Sequence, residues 1–285
     1  MTVFAGQGDA RRSMALLWRA PETPRPGRSG PKPGLSVDAI VLAGIAVADA
    51  DGMAALSMRA VGERLGRTAM ALYTYVPGKA ELLDLMHDRV LAELPASPDP
   101  GRDWRAGVTA WADDALDCYL RHPWVLQISQ ARPVLGPGEL GAMEALLGIL
   151  RGARLGPREL RGAVAALWQF VRGSAQTAAD ARAAAATTGV PDEEWWHARA
   201  GRLADLAPDF AERFPLLTAL ERSGAAEAGT GDPAPDRTRE AFRTGLAVLL
   251  DGVAAAAART GPSTPDRDPD RNPDRGPEDH PGGDA

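Results

Sequence analysis

Residues 56–83 read LSMRAVGERLGRTAMALYTYVPGKAELL, and this stretch decides the fold of the N-terminal part of the chain. Ser57 can cap a helix with one apolar face. Gly66 can end that helix because glycine readily adopts positive φ, and Thr68 can cap a short second helix. The pattern predicts two short helices at a tight turn with a third helix directly after them, which is the layout of a helix-turn-helix.

The short second helix carries small and polar side chains in place of a second apolar stripe. Short side chains permit a close approach to base edges, and tyrosine hydroxyls can donate to phosphates. Leu72 and Val76, four residues apart, are expected to face inward. Lys79 falls in the first turn of the next helix, where a cation opposes the helix dipole. A DNA phosphate beside that helix N-terminus would account for the lysine.

The segment ALYTYVPGKAELLDLM, residues 71–86, resembles the DNA-binding domain of TetR-family transcriptional repressors. The family pattern is a Leu-Tyr pair, an apolar residue after two further positions, a short turn, and a lysine that opens a leucine-rich helix. The likeness extends over residues 36–94. It implies that Lys79 contacts phosphate and that Arg59, in the first turn of the preceding helix, contacts a base.

The predicted DNA-contacting residues lie in and around the helix-turn-helix. These residues have alternative roles, since the two tyrosines could fill a small core and the two cations could be ordinary solvated charges. The predicted DNA-binding residues are Ser57, Met58, Arg59, Thr68, Ala69, Met70, Ala71, Tyr73, Thr74, Tyr75 and Lys79.

The chain of 285 residues is 45% hydrophobic, which suffices for a sizeable core. The longest uninterrupted apolar run, residues 40–48, is too short for a membrane span, and the N-terminal apolar segment, residues 14–18, is too short for a signal peptide, so a soluble cytoplasmic protein is expected. The single cysteine, Cys118, excludes an internal disulfide and a multi-cysteine zinc site. Because His87, His122 and His197 do not form a convincing ligand set, neither a metal nor a cofactor is predicted.

Charge and proline content divide the chain into four parts. The net charge is −6, but residues 1–34 carry six basic and two acidic groups, whereas residues 261–285 carry three basic and seven acidic groups. We predict a disordered basic arm over 1–34, a helix-turn-helix domain over 35–95, a larger helical domain over 101–260 and a disordered acidic tail over 261–285. Arg25, Arg28 and Lys32 either reach an adjacent DNA groove or belong to a solvated tail.

The segment after Asp103 shows helical patterns almost throughout, so the fold class is all-α with two domains. One helix-turn-helix touches too little DNA for adequate affinity, and a twofold homodimer on a palindromic operator is the usual remedy. Residues 157–187 mix small and large apolar side chains, as do residues 242–258, and both segments suit a dimer interface. In TetR-like proteins two late helices form a four-helix bundle across the dimer, although the same pattern would also suit an intramolecular core.

The larger domain holds six of the seven tryptophans, a composition that favours a cavity for a small-molecule effector. Plain core packing is the alternative for each single residue. The predicted ligand-lining residues are Trp111, Asp114, Cys118, Gln127, Met143, Trp168, Gln169, Arg172 and Gln176.

Two other functional classes fit these residues less well. An enzyme would need a nucleophile and base or a carboxylate pair, but Asp113 and Asp114 point to different faces of one helix and Cys118 near His122 suits a buried thiol. A purely architectural DNA-binding protein would not need so much aromatic surface, although an orphan regulator whose pocket is filled by side chains would show the same pattern. We therefore predict a homodimeric transcriptional regulator, most simply a repressor that a small effector releases from its double-stranded DNA operator.

Overall fold

The architecture is that of a small helical head joined through a buried helix to a larger helical domain. The computed structural model describes residues 3–20, 35–95, 103–227 and 234–260. The predicted all-α class is confirmed. The helices are α1 (Ala10–Leu17), α2 (Val37–Asp51), α3 (Met58–Leu65), α4 (Ala69–Tyr73), α5 (Lys79–Leu91), α6 (Trp104–Arg121), α7 (Pro137–Leu150), α8 (Pro157–Thr188), α9 (Asp192–Leu206), α10 (Phe210–Arg213), α11 (Pro215–Glu227) and α12 (Ala234–Thr260), with short 3-10 turns at Pro123–Gln127 and Arg151–Ala153.

The head begins where the predicted caps lie. The Ser36 hydroxyl accepts a hydrogen bond from the Ala39 amide at the start of α2, and the Ser57 hydroxyl does the same for the Ala60 amide at the start of α3. Gly66 ends α3 with φ 64°, a left-handed conformation that glycine adopts without strain. Thr68 then caps α4 through the Ala71 amide. Local sequence therefore places the turn as predicted.

The core of the head lies between α2, α3, α4 and α5. Ile40, Val61, Leu72 and Val76 are each fully buried, so the inward orientation predicted for Leu72 and Val76 is confirmed. Helices α2 and α5 approach closely at Gly44, where an added Cβ would lie 2.8 Å from the Met86 sulfur. The head therefore depends on α5, which also contacts α7 of the larger domain.

The larger domain packs α6, α7, α8 and α12 together. Trp111 of α6 and Trp168 of α8 meet with ring centroids 5.5 Å apart, and Phe170 stacks on Phe242 of α12 at 5.4 Å. Beyond this core, helices α9 to α11 extend with large apolar side chains in solvent. Leu206, for example, is 82% exposed.

The structure differs from the sequence prediction at the N-terminus. Instead of a disordered arm throughout 1–34, residues 3–20 form a strand, β1 (Val3–Phe4), followed by α1. Strand β1 pairs in parallel with β2 (Ile128–Ser129), and α1 packs on α5. This order was missed because the groups that hold the segment lie more than 70 positions away in sequence. The predicted groove-reaching cations at positions 25, 28 and 32, and the acidic tail 261–285, lie outside the described residues.

Candidate DNA-binding surface and ligand pocket

Helix α4 is buried at one residue only and presents the side chains of Met70 and Tyr73 to solvent. Met70 is 76% exposed, and Tyr73 and Tyr75 are exposed as well. Leu72 alone anchors the helix in the core. A five-residue helix held by one leucine leaves its other side free to contact a partner, so this surface can approach base edges. Because Tyr73 and Tyr75 are both exposed, neither fills the core of the head, which was the alternative role for these tyrosines.

Helix α3 brings a second set of side chains to the same end of the head. The Arg59 side chain is 86% exposed and, among the described residues, its one ion pair is with Glu63, with 2.8 Å between Nε and Oε1. An exposed pair of this type contributes little to stability, so the guanidinium can exchange one carboxylate for another acceptor at small cost. Ser57 is exposed beside it.

Met58 is the exception among the predicted DNA-contacting residues. Its side chain is buried and belongs to the hydrophobic core, so it is not available to DNA and the prediction for it was wrong. The cause is geometric, since a residue one position before Arg59 on a helix points about 100° away from it. Ala69 and Ala71 are half-buried, and the other predicted positions are exposed. The exposed positions are Ser57, Arg59, Thr68, Met70, Tyr73, Thr74, Tyr75 and Lys79.

Lys79 is exposed in the first turn of α5. The N-cap of this helix is Gly78, which supplies no side-chain hydrogen bond to the first amides. Uncapped amides and a lysine at one helix start form a positive site at the surface. Glu81, in the same turn, is buried and accepts a hydrogen bond from the Asp9 amide, and its second carboxylate oxygen lies close to Gly78.

A cavity of about 490 Å³ opens between α5, α7, α8 and the loop before α7. Three of the predicted ligand-binding residues, Met143, Trp168 and Gln169, line it. The walls are mostly apolar, and the polar groups are few. The residues that line the cavity and were not predicted are Leu91, Gln130, Pro133, Leu135, Glu139, Leu140, Leu147, Arg161, Val164 and Ala165.

Polar groups of the cavity are arranged on two sides. The Gln169 side-chain amide donates to Gln130 Oε1 at 3.2 Å on one side. On the other side Glu139 Oε2 accepts from the Leu135 amide at 2.8 Å. Burial raises the pKa of the Glu139 carboxyl, because the charged form loses hydration. A ligand would therefore meet an amide pair, a carboxyl group and the Arg161 guanidinium among apolar walls.

Six predicted lining residues do not reach the cavity. Trp111 is buried behind Trp168, and the exposed Asp114 and Gln127 face solvent. The Gln176 amide donates to Asp180 on its own helix. Cys118 is buried and donates to the Val90 carbonyl, and burial raises the pKa of its thiol to about 11. Helical periodicity identifies an inward face but does not tell a cavity wall from solid core.

Arg172 is the sixth of these residues and has a structural role. Its guanidinium donates to three backbone carbonyls, those of Val125, Leu126 and Ile128. These carbonyls lie where the 3-10 turn ends and β2 begins, and the arginine adds charged donors there to the bond that the Val125 carbonyl accepts from the Ile128 amide. Its donors are used within the protein and leave little for a ligand.

The head is tied to the larger domain by a polar contact apart from α5. Asp49 of α2 accepts a hydrogen bond from the Trp124 indole at 2.7 Å and lies 2.8 Å from His122 Nδ1. The second imidazole nitrogen of His122 lies 3.4 Å from Glu93. A movement of the larger domain at this turn would therefore displace Asp49 and with it α2 of the head.

A helix-turn-helix head with an open reading helix, joined to a helical domain with its own cavity, defines a DNA-binding regulator that carries its sensor in the same chain. The comparisons with known proteins agree. The family described as "Tetracyclin repressor-like, C-terminal domain" matches residues 97–257. The chain belongs to the TetR family of transcriptional regulators and is a regulator, not an enzyme.

Individual relatives cover nearly the whole chain. The HTH-type transcriptional repressor DrrR1 of Streptomyces coeruleorubidus is 39% identical over 267 residues, which are 93% of each chain. An HTH-type transcriptional regulator of Saccharopolyspora erythraea is 29% identical and covers 90% of this chain and 99% of its own. Among solved structures, apo ActR from Streptomyces coelicolor is similar with a TM-score of 0.60 and 28% identity over 81% of this chain and 100% of its own. ActR in complex with actinorhodin is similar with a TM-score of 0.59 and 26% identity, covering 80% and 100% of the two chains.

Proposed function

We propose that the protein represses transcription by placing α4 in the major groove of an operator and that a small molecule bound in the 490 Å³ cavity releases it. The exposed face of α4, which has no partner in the described part of the chain, is the observation that carries the DNA-binding half. In this arrangement Arg59 reads a base edge, and guanine offers the matching pair of acceptors. The tyrosines and threonines around α4 contact the backbone.

Lys79 and the uncapped start of α5 bind a phosphate in this proposal. Two features support the assignment, namely a helix N-terminus without a side-chain cap and a cation on the same turn. Phosphate contacts of this kind set the register of the protein on DNA without reading sequence. In this proposal Arg59 reads the base sequence and Lys79 positions the protein on the DNA backbone.

A homodimer is proposed for the larger domain. Within the described residues, the part of α12 from Arg239 to Arg259 has the length and mean hydropathy, 1.4, of a membrane span, yet only 17% of that window is buried. Ion pairs from Arg239 to Asp117 and from Arg105 to Asp251 hold it against α6. It carries exposed apolar side chains, with Val248 at 66% exposure, and it packs on α8, which has exposed small residues of its own. A second copy of the chain would bury both surfaces and would bring two heads to a palindrome.

The chemistry of the cavity favours a largely apolar, flat effector with a few polar substituents. Trp168 and Met143 offer a surface for stacking, and the Gln130–Gln169 pair and Glu139 offer hydrogen bonds at separate edges. The similar protein ActR has been solved with actinorhodin and with (S)-DNPA, and these compounds are suitable first probes. We place the protein in the cytoplasm, where a regulator of this type would meet its operator.

Selection of bound fragments from random duplexes by the purified full chain, at a stated salt concentration, tests the DNA-binding half. We expect enrichment of a palindrome whose half-sites lie about one helical turn apart. Equal recovery of all duplexes would contradict operator recognition.

A thermal-shift screen that includes the two ActR ligands tests the effector half. A stabilising compound should also release the selected duplex, and its effect should be lost when Met143→Trp fills the cavity. Stabilisation by no compound in a broad panel would favour the alternative of an orphan or architectural DNA-binding protein.

A further inference from the structure

Residues 3–20, called here the strap, cross from the larger domain to the head. At its start the strap pairs Val3 with Ile128 and Phe4 with Ser129 in the two-stranded sheet. Strand β2 follows the 3-10 turn whose carbonyls Arg172 holds. The beginning of the strap is therefore fixed to the larger domain.

The middle of the strap is fixed to α5. The Gly6 amide donates to Asp84 Oδ1 at 2.8 Å, and the Asp9 amide donates to Glu81 Oε1 at 3.2 Å. Both carboxylates are buried, and a buried carboxylate that loses its donors is costly. The strap is thus bound to the helix that opens with Lys79 and that connects the head with the larger domain.

The end of the strap reaches two places at once. The Trp18 indole donates to the Leu135 carbonyl at 3.0 Å, and the Arg19 guanidinium pairs with Asp38 in the first turn of α2. Leu135 lines the cavity and has φ 58°, a left-handed conformation that is unfavourable for leucine. Its amide is held by Glu139 and its carbonyl by Trp18. The strap therefore supports a strained residue at the wall of the cavity.

We propose that the strap couples the cavity to the reading head by holding the Leu135 loop, α5 and the start of α2 in one arrangement. The inference rests on the proposed role of the cavity. A ligand that displaces Leu135 changes the position of Trp18, and through the strap the change reaches α5 and α2. By linkage, operator binding at the head must then alter the stability of the Leu135 loop as well.

Hydrogen exchange in the full chain, with and without the selected operator duplex, tests this coupling. The Leu135 amide is the direct reporter because its hydrogen bond to Glu139 protects it. We expect operator binding to change its exchange rate several-fold. In Gly6→Ala the response should disappear, because Gly6 has φ 67° and alanine there is strained, which loosens the strap without creating a clash.

Gly189→Ala is the matched control. Gly189 has φ 70° at the end of α8, and an added Cβ meets no atom within 4 Å, so the backbone cost is similar while the strap stays intact. This variant should keep the response of the Leu135 amide to the operator. A gentler pair is Trp18→Phe, which removes the indole donor, and Trp196→Phe, which changes an exposed tryptophan on α9. Only the former should weaken the response.

Two results would overturn the proposal. One is a Leu135 amide whose exchange does not respond to the operator in the unaltered chain. The other is a response that is equally large in Gly6→Ala, Trp18→Phe and their controls. Failure of the proposed function itself looks different, because a duplex that does not bind, or a compound whose effect Met143→Trp leaves unchanged, concerns the head or the cavity and not the strap.

Discussion

Arg59 in the head and Arg172 in the larger domain show how the DNA-binding surface differs from the ligand-binding domain. Both were predicted to bind a partner, one DNA and the other a ligand. The Arg59 side chain is 86% exposed with a single carboxylate on its own helix, whereas Arg172 is half-buried and donates to three backbone carbonyls. A charged side chain is available to an outside partner only where the protein has not already satisfied it. In the head the Arg59 guanidinium stays accessible to a partner. In the larger domain the Arg172 guanidinium is bound to backbone carbonyls of the protein itself.

The largest expected effect follows from removing the interior arginine. Arg172→Met should lower the free energy of unfolding by about 3 kcal/mol, because three backbone acceptors lose a charged donor. Urea denaturation at constant protein concentration measures the change. Gln176→Met, one turn further along α8, removes only a bond to Asp180 and should cost less than about 0.5 kcal/mol. If the two variants lowered the free energy of unfolding equally, the hydrogen bonds of Arg172 would not stabilise the fold.

A second interior group makes stability depend on pH. Burial lowers the pKa of His87 to about 4 from 6.5, and the charge of Arg172 acts in the same direction. Between these two pH values the unfolded chain binds the proton and the folded chain does not, so stability falls as the pH falls. Compared with His87→Leu, the unaltered protein should lose about 1.4 kcal/mol per pH unit in this window.

The comparison at each pH is needed because other buried groups titrate with the opposite sign. Burial raises the pKa of the Asp84, Asp88 and Glu139 carboxyls, so each contributes stability at low pH that is lost as the pH rises through its folded-state pKa. These contributions cancel between the unaltered protein and the variant. Parallel stability curves for the two proteins would show that His87 does not titrate differently on unfolding.

The open arginine should affect DNA binding and leave stability nearly unchanged. Arg59→Ala is expected to weaken operator binding by about 2 kcal/mol and to relax the preference at one base pair of each half-site. Competition among single-base operator variants measures both quantities. Arg213→Ala removes an exposed arginine from an equivalent i,i+4 pair outside the head and should change neither. Uniform weakening without relaxed preference would assign Arg59 to phosphate.

The smallest effect is expected for the positioning lysine. Lys79→Ala should weaken binding to every duplex by about 1 kcal/mol and reduce the slope of log affinity against log salt by about one. The Arg59 variant differs from it in sequence preference, so the two residues can be separated in one salt series. An unchanged slope would mean that Lys79 makes no phosphate contact.

Much of the head could be predicted from the sequence because its signals are local. The caps at Ser36, Ser57 and Thr68 and the left-handed Gly66 act within three or four residues of their own positions. Met58 differs because it lies about 100° around α3 from the exposed Arg59 and is buried. A short helix with few apolar residues must expose most of its polar ones. Most of the DNA-binding surface could therefore be predicted from the sequence as well.

The cavity and the strap were less predictable because their contacts are distant in sequence. The cavity takes Leu91 from α5, Glu139 from α7 and Trp168 from α8, and no local pattern says which inward side chains leave a space between them. The strap is held by hydrogen bonds that join residues 72 to 117 positions apart. Its charges and its position before the proline-rich segment that starts at residue 21 resemble those of a solvated tail when those partners are not known.

Composition, caps and helical periodicity by themselves determined that this chain is all-α and that it presents a short reading helix at a glycine turn. These properties depend on backbone preferences and on neighbours within one or two turns of helix. Tertiary structure alone decided that Arg172 serves the fold, that Met143, Trp168 and Gln169 share a cavity, and that residues 3–20 bind α5. The physical reason is that a polar or apolar side chain acquires its role from the groups that surround it after folding, and those groups come from distant parts of the chain.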